Sequence, residues 1–312
     1  MLRTENLSKI YDSKVAVHDL NLNIAPGEIY GFLGPNGAGK TTTIRLLLGL
    51  LKPTNGQIFL FDKPITDDII SLKRRIGVVA EEPPPANRMT AWELVRFFAD
   101  LNHVSHPETR MEKLFHDLDL WNARHALASA YSRGMRQKLS LIRALIHTPD
   151  LLILDEPVSG LDPFGIRQVR AAVDEHQAQG GAVLISSHIL SEVERSANRI
   201  GILHQGHLLV EDSISGIRSR IGGTNIIQLE LLEIPTPLPG QLQSIPEVEK
   251  VETKDNQLTL HLSNGRDARP EIFQTVVAAG GTLISMKMEE ITLEDAFVTI
   301  TNQHVQKIAG AE

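Results

Sequence analysis

The 312-residue sequence has no cysteine, which removes disulfides and thiolate metal centres from consideration and is compatible with a reducing cytosol. It also lacks an excess of basic residues: 31 Lys and Arg face 38 Asp and Glu, for a formal net charge of -7. A chain of that sign carries no basic stripe to neutralise nucleic-acid phosphates, so nucleic acid is set aside as a partner. Long apolar runs are missing too. The greasiest stretches, IRLLLGLL and LLILDEPV, are interrupted by charge and fall short of the ~18–20 apolar residues that a membrane-spanning helix needs. The opening MLRTENLSKI has no apolar segment of the kind found in a secretory signal. No internal repeat, heptad run or low-complexity tract is visible. If this protein works at a membrane, it works from one side.

What remains is a composition suited to folding: 42% hydrophobic residues over 312 positions imply one large domain and a smaller one. From Leu2 to about His207, short apolar runs alternate with helical patterns, the signature of a parallel-type sheet wrapped by helices in an α/β domain. Gly27–Phe32 reads as a strand running into a glycine-rich turn, and Thr41–Leu51 as the following helix. DLLILDEP and AVLISSH read as central, buried strands. Ahead of both, WELVRFFADL and MEKLFHDLDLW are amphipathic helices with no strand separating them, which places a helical insertion at about residues 84–135. The large domain is assigned to residues 1–212, a linker to 213–223, and a small α+β accessory domain to 224–312. Within the latter, IIQLELLEI is a strand and PTPLPG a turn-rich break. VEKVETK and QLTLHLS form a hairpin around Asp255-Asn256, PEIFQTVVAAGG is a helix, GTLISMKM a strand, and TLEDAFVTI a short helix capped by Thr292. That domain has no phosphate loop, acid pair or metal-ligand cluster. It is either a dimerisation or regulatory element or a stabilising cap.

Two motifs carry chemistry by themselves. Gly34-Pro35-Asn36-Gly37-Ala38-Gly39-Lys40-Thr41 fits G-x-x-x-x-G-K-[ST]. Its glycines let backbone N–H groups turn inward around phosphates, the helix beginning at Lys40 aims its positive end at them, and Lys40 adds a mobile charge. Thr41 offers a hydroxyl to Mg²⁺, and Thr42 is counted with the nucleotide-binding loop. Leu151–Leu154 then lead to Asp155 and Glu156. Asp155, at the strand end, is placed to bind Mg²⁺ directly or through water, and Glu156 to serve as base for an attacking water. ATP and Mg²⁺ are the cofactors expected.

GPNGAGKT, YSRGMRQKLSLIRALIHTPDLLILDEP, SGLDP and ISSHIL resemble, in order and spacing, the nucleotide-binding domain of ABC transporters, over roughly Leu2 to Leu209. The chain is most similar to the drug, antibiotic and ABC-2-type export ATPases, which carry a comparable C-terminal extension. The resemblance implies a P-loop NTPase fold with a helical insertion and an ATPase that energises transport, in the export direction, through separate integral-membrane permease subunits. It implies a location peripheral to the cytoplasmic face of the cell membrane. It also assigns roles: Tyr11 as the aromatic that stacks on adenine, and Ser132 and Gly134 as the signature segment that closes over the opposite subunit's γ-phosphate. Asp162 falls in the loop bridging the two subunits, and His188 is the switch histidine at the γ-phosphate. With one phosphate loop and one signature per chain, a homodimer with two composite sites is expected, or a heterodimer with a second ATPase. Two positions depart from the pattern. Glu81 replaces the usual glutamine as a metal-side residue, adding negative charge near the triphosphate. Arg133 replaces the first signature glycine, and could reach a phosphate, bridge the dimer or remain a solvated charge. The alternative from another class is a soluble ABC ATPase acting on a macromolecular assembly. A nucleotide-bound scaffold without turnover would predict loss of Glu156 or His188, and both are present.

Overall fold

A computed structural model describes residues 1–12, 14–66, 69–81, 88–220, 225–263, 267–289 and 292–309. The chain divides into two compact units, Met1–Ile214 and Ser215–Glu312.

The first unit contains two sheets. One is antiparallel and is formed by β1 (Leu2–Tyr11), β2 (Lys14–Leu20), β3 (Asn23–Ile24), β5 (Asn55–Leu60) and β6 (Lys63–Pro64) in the order β2-β1-β5-β6, with β3 beside β1. The sequence pattern suggested a parallel-type sheet throughout, and this antiparallel layer is an addition to it. Along β1, Leu2, Thr4 and Leu7 are buried while Arg3 and Asn6 are exposed, as in a one-sided sheet, and such a pattern in a short run is easily absorbed into a generic α/β reading. The other sheet has six strands: β4 (Ile29–Leu33), β7 (Ile76–Val79), β8 (Leu151–Asp155), β9 (Ala182–Ser187), β10 (Arg199–His204) and β11 (His207–Ser213), ordered β11-β10-β4-β9-β8-β7. All neighbours are parallel except the edge strand β11, which folds back against β10. Every residue of β4, β8 and β9 is buried, as expected for strands covered on both faces. One core joins the layers. Leu2, Leu7 and Ile58 of the antiparallel sheet belong to the same cluster as Phe32, Ile153 and Leu184 of the parallel one, together with Ile44 and Leu47 of α1 (Lys40–Leu47).

α1 is shorter than its leucine spacing suggested. Gly49 takes φ +62° just beyond it, and Leu50 is exposed. Similarly, the strand expected from Gly27 begins only at Ile29, because Gly27 occupies a turn at φ +69°.

α2 (Ile69–Lys73) precedes β7. The helical insertion then comprises α3 (Ala91–Leu101), α4 (Glu108–Asp117) and the start of α5 (Arg133–Leu145). Thr90 and Glu93 form a reciprocal capping box that sets the first turn of α3, and Val95 and Ala99 bury its inner face. Trp92 and Trp121 meet edge to face at 6.1 Å between ring centroids. Trp121 also stacks on His116 at 4.6 Å, with the Arg124 guanidinium 3.7 Å from its ring centroid. The proline-rich segment Glu82–Asn87 lies outside the described residues. α6 (Pro163–Ala178) and α7 (Leu190–Glu194) complete the unit.

The second unit has the order β12 (Asn225–Leu231), α9 (Leu238–Gln243), β13 (Val248–Lys254), β14 (Gln257–Leu262), α10 (Arg269–Ala278), β15 (Leu283–Glu289), flanked by α8 (Ile214–Arg220) and α11 (Leu293–Ala309). Its sheet runs β13-β14-β12-β15 with every pair antiparallel, the split β-α-β-β-α-β arrangement. Ile227, Leu229, Leu258, Leu260, Ile272 and Val276 form its core. The β13–β14 turn sits at Asp255-Asn256, with Asp255 at φ +50°.

The division between the two units, after Ile214, falls within the 213–223 segment expected as a linker; that segment contains helix α8, in which Ile217 is fully buried, while 221–224 lie outside the described residues. Two expectations need correction here. The PTPLPG break contributes the first turn of α9, because proline is tolerated at a helix start and Leu238 and Leu242 bury one face of it. The helix at TLEDAFVTI is not short but runs 17 residues, since no glycine or proline interrupts it before Ala309.

Candidate active site

The C-terminal ends of β4, β8 and β9 are held level by their register: Leu33 pairs with Ser187, and Asp155 with Ser186. In an open parallel sheet this edge is where ligands bind, and the loops leaving it bring the motif residues together. After β4, the loop turns through Gly37 at φ +80° and Gly39 at φ +112°. A Cβ on Gly39 would stand 2.4 Å from the Ala16 carbonyl oxygen, so both conformation and space demand glycine there. Lys40, buried at the start of α1, folds its ammonium back into the loop. It donates to the Gly34 carbonyl at 2.6 Å and the Pro35 carbonyl at 3.3 Å.

From β8 come the two acids, both buried. Asp155 accepts a hydrogen bond from the Ser186 hydroxyl. Glu156 follows at φ +50°, a left-handed backbone that few non-glycine residues adopt. Its N–H donates to the Ser186 carbonyl at 3.1 Å, and its carboxylate lies between two cationic or proton-carrying groups. One oxygen is 3.7 Å from the Lys40 ammonium, and the other is 2.7 Å from His188 Nδ1. His188 itself is half exposed.

A cavity of about 410 Å³ opens over this edge. It is lined by Pro35, Asn36, Gly37, Gly39, Lys40, Thr41 and Thr42 of the loop, by Glu81 and Glu156, and by Tyr11, Lys14 and Ala16 of the antiparallel sheet. Tyr11 is exposed, with the Lys9 ammonium 5.0 Å from its ring centroid. Sequence-selected residues from four separated segments therefore share one cavity. Asp155 and His188 are not among the lining residues: Ser186 links Asp155 to Glu156, and His188 contacts Glu156 directly. Lys14, Ala16 and Ser186 were not singled out from the sequence. Ser186 precedes His188 by two residues in a motif that had been noticed, whereas nothing in KVAV marks Lys14 or Ala16.

Ser132, Gly134 and Asp162 are not among the residues lining that cavity. Ser132 caps α5, accepting from the Met135 N–H at 3.2 Å, and Asp162 caps α6, accepting from the Gly165 N–H at 2.7 Å. The two caps adjoin: a Cβ on Gly134 would sit 3.2 Å from Leu161 Cδ2. Arg133 is not merely solvated, for its guanidinium donates to the Ser159 hydroxyl of the same chain at 2.8 Å. Tyr131, just before the cap, is buried and donates to the Ala123 carbonyl at 2.9 Å; burial pushes its phenol up to about 12, so it stays neutral.

The donor set suits Mg²⁺. Thr41, which carries a hydroxyl, and Glu81, which carries a carboxylate, line the cavity, and Asp155 adds a second carboxylate beside Glu156 at the end of β8; no cluster of three His, Cys, Asp or Glu that could hold an ion occurs among the described residues. One or two carboxylates with a hydroxyl, leaving places for water and phosphate oxygens, is how Mg²⁺ is held beside a nucleotide, in contrast to the all-protein cage of a structural metal.

A second cavity, about 490 Å³, lies between β7 and helices α2, α3 and α5. Ile70, Phe98 and Leu101 line it beside Lys73, Arg74 and Arg143, and no acidic residue lines it among the described residues. Arg143 sits 5.0 Å over the Phe98 ring centroid, and burial lowers the affinity of its guanidinium for its proton.

A parallel sheet that delivers a phosphate loop and an acid pair to one cavity defines a P-loop nucleoside triphosphatase. Comparison with known proteins narrows this. The ABC transporter family model matches residues 17–159, and the model for the C-terminal domain of DrrA1-3-like ATP-binding proteins matches residues 213–301. The bacitracin transport ATP-binding protein BcrA of Bacillus licheniformis is 36% identical over 301 residues, covering 96% of this chain and 97% of its own. The lantibiotic transport ATP-binding protein SrtF of Streptococcus pyogenes is 36% identical over 216 residues, 69% of this chain and 92% of its own. A solved structure described as the ATP-binding subunit of an ABC transporter covers 71% of this chain and 93% of its own at 30% identity, with a TM-score of 0.68. The chain belongs to the ABC transporter family, as an ATP-binding, ATP-hydrolysing subunit. No helix among its described residues is long and apolar enough to cross a membrane.

Proposed function

We propose that the chain powers export of an antibiotic-like compound by hydrolysing ATP with Mg²⁺, acting as a dimer docked on permease subunits at the cytoplasmic face of the membrane. The observation that carries the mechanism is the convergence of Tyr11, the 34–42 loop, Glu81 and Glu156 on one cavity, with His188 on the Glu156 carboxylate. Tyr11 stacks on adenine. Backbone N–H groups of the loop and the Lys40 ammonium bind the phosphates, and a nucleotide draws Lys40 away from the carbonyls that it now caps. Glu156 orients the attacking water and accepts its proton, while His188 holds that carboxylate in place and contacts the γ-phosphate. Thr41, Asp155 and Glu81 would hold Mg²⁺, which supplies charge neutralisation at the phosphates.

Because Ser132, Gly134 and Asp162 lie off the cavity of their own chain, a second copy turned by a two-fold axis provides them to the first chain's nucleotide. The domain assignment proposed is an ATPase domain at 1–212 and an accessory domain at 224–312 that adjusts pairing or coupling. Permease docking runs through the segment after β7, which includes Glu81, and through the cationic, apolar groove beside it. The export assignment and the antibiotic-like cargo follow the relatives named for bacitracin and lantibiotic transport.

The hydrolytic reading is tested by Glu156→Gln, which keeps the shape of the side chain but cannot take a proton. ATP affinity is expected to stay within a few-fold while turnover falls at least ~100-fold, the general-base scale, and MgATP should trap a dimer on size exclusion. Parental phosphate release from this variant would refute the base assignment.

A further inference from the structure

Arg133 stands where the family's signature segment has a glycine, and its contacts lead back to Glu156. α5 presents Arg133 and Gln137 one turn apart, on one face. Both reach the turn that follows the acid pair. Gln137, buried, donates from Nε2 to the Glu156 carbonyl at 3.3 Å. Arg133 donates from Nη2 to the Ser159 hydroxyl at 2.8 Å. Between these two anchors the turn is closed by the Ser159 N–H on the Glu156 carbonyl, at 3.1 Å. The next residue, Gly160, has φ +76°, and a Cβ there would stand 3.0 Å from Arg133 Cδ and 3.1 Å from Nε. The loop thus leaves room for the arginine stem to lie across it.

The turn needs such support. Glu156 holds a left-handed backbone, which persists only where surrounding groups over-determine it. That backbone aims the carboxylate between Lys40 and His188, and a small rotation would move it off both.

We propose that Arg133 is a positioning residue for Glu156: it fixes the far end of the 156–160 turn, whose near end Gln137 holds. The arginine acts inside its own chain and is not a ligand for the opposite chain's phosphate. The proposal rests on Glu156 being the water-activating base.

The test uses the full chain with MgATP and the variants Arg133→Gly, Arg133→Lys, Ser159→Ala and the Arg133→Gly/Ser159→Ala pair. Arg133→Gly should lower kcat about ten-fold while leaving ATP Kd, melting temperature and MgATP-dependent dimerisation unchanged, the pattern of a group that matters in the transition state. Arg133→Lys, which still reaches a hydroxyl with one donor, should recover most of the rate. Ser159→Ala should reproduce the loss, and the double variant should be no slower than either single, because both remove the same link. Multiplicative losses in the double variant would overturn the proposal. So would a raised Kd or a lost dimer in Arg133→Gly, which would put the arginine on the opposite nucleotide. If Glu156→Gln is inactive and Arg133→Gly fully active, the positioning role alone fails; if Glu156→Gln turns over normally, the base reading fails first.

Discussion

Single side chains divide here into those whose chemistry identifies them and those whose place does. Tyr11 is of the second kind: nothing about a tyrosine near a strand end signals a base platform, yet it lines the same cavity as Lys40 and Thr42 while remaining exposed. Tyr11→Ala is expected to weaken ATP binding by ~1–3 kcal/mol, the range for base stacking on an aromatic ring, with no change in melting temperature. Isothermal titration with ATP measures this directly, and an unchanged Kd would remove Tyr11 from the site. The phosphate loop and the Asp155-Glu156 pair were legible in the sequence because their chemistry needs fixed residue types at fixed spacing. The contacts of Arg133 were not legible, because a hydrogen bond to a residue 26 positions away leaves no periodic trace. Ser132 and Asp162 show the converse. Each is an ordinary helix N-cap within its own chain, and capping alone would account for both residue types.

Elements were read well where their pattern was long and poorly where a glycine or proline set the boundary. β8 and β9, uninterrupted apolar runs, fell where expected, and so did α3 of the insertion, whereas α4 starts three residues before Met111 and ends at Asp117, short of the expected Trp121. The α1 end, the α9 start and the length of α11 did not, since each depends on how one turn is resolved locally. The groove between α2, α3, α5 and β7 could not be read from any one of those elements. It combines Lys73 of α2 and the adjoining Arg74 with Phe98 and Leu101 from α3 and Arg143 from α5. Cations around an apolar floor fit an amphipathic segment carrying acidic residues, and like charge directly opposite would repel it. Lys73→Glu combined with Arg74→Glu, both exposed, should therefore release the chain from its permease by at least ~10-fold in co-purification while ATPase of the free chain stays within two-fold. Undiminished recovery with the permease would move docking to another surface.

At the scale of the whole molecule, the β-α-β-β-α-β order of the second unit was largely visible from alternation and turn residues, but its strand order was not, because antiparallel neighbours are chosen by packing faces that a linear pattern does not rank. The first unit carries a pH liability in its histidines. Burial lowers the proton affinity of both His147 and His176 below the ordinary value of 6.5. The unfolded chain then binds more protons than the folded one as pH falls through 6.5, so stability is full above that value and is lost toward lower pH. Urea unfolding should give a lower midpoint at about pH 5.5 than at about pH 7.5, and replacing His147 with Gln should flatten the difference; a midpoint that rises with acidity would contradict the burial argument. Finally, the edge-to-face pair of Trp92 and Trp121 comprises every tryptophan in the chain. Emission excited at the red edge of protein absorbance therefore originates wholly in the helical insertion, and Trp121 emits from between an imidazole and a guanidinium. The molecule carries its own optical reporter for that insertion, with the other 310 residues dark.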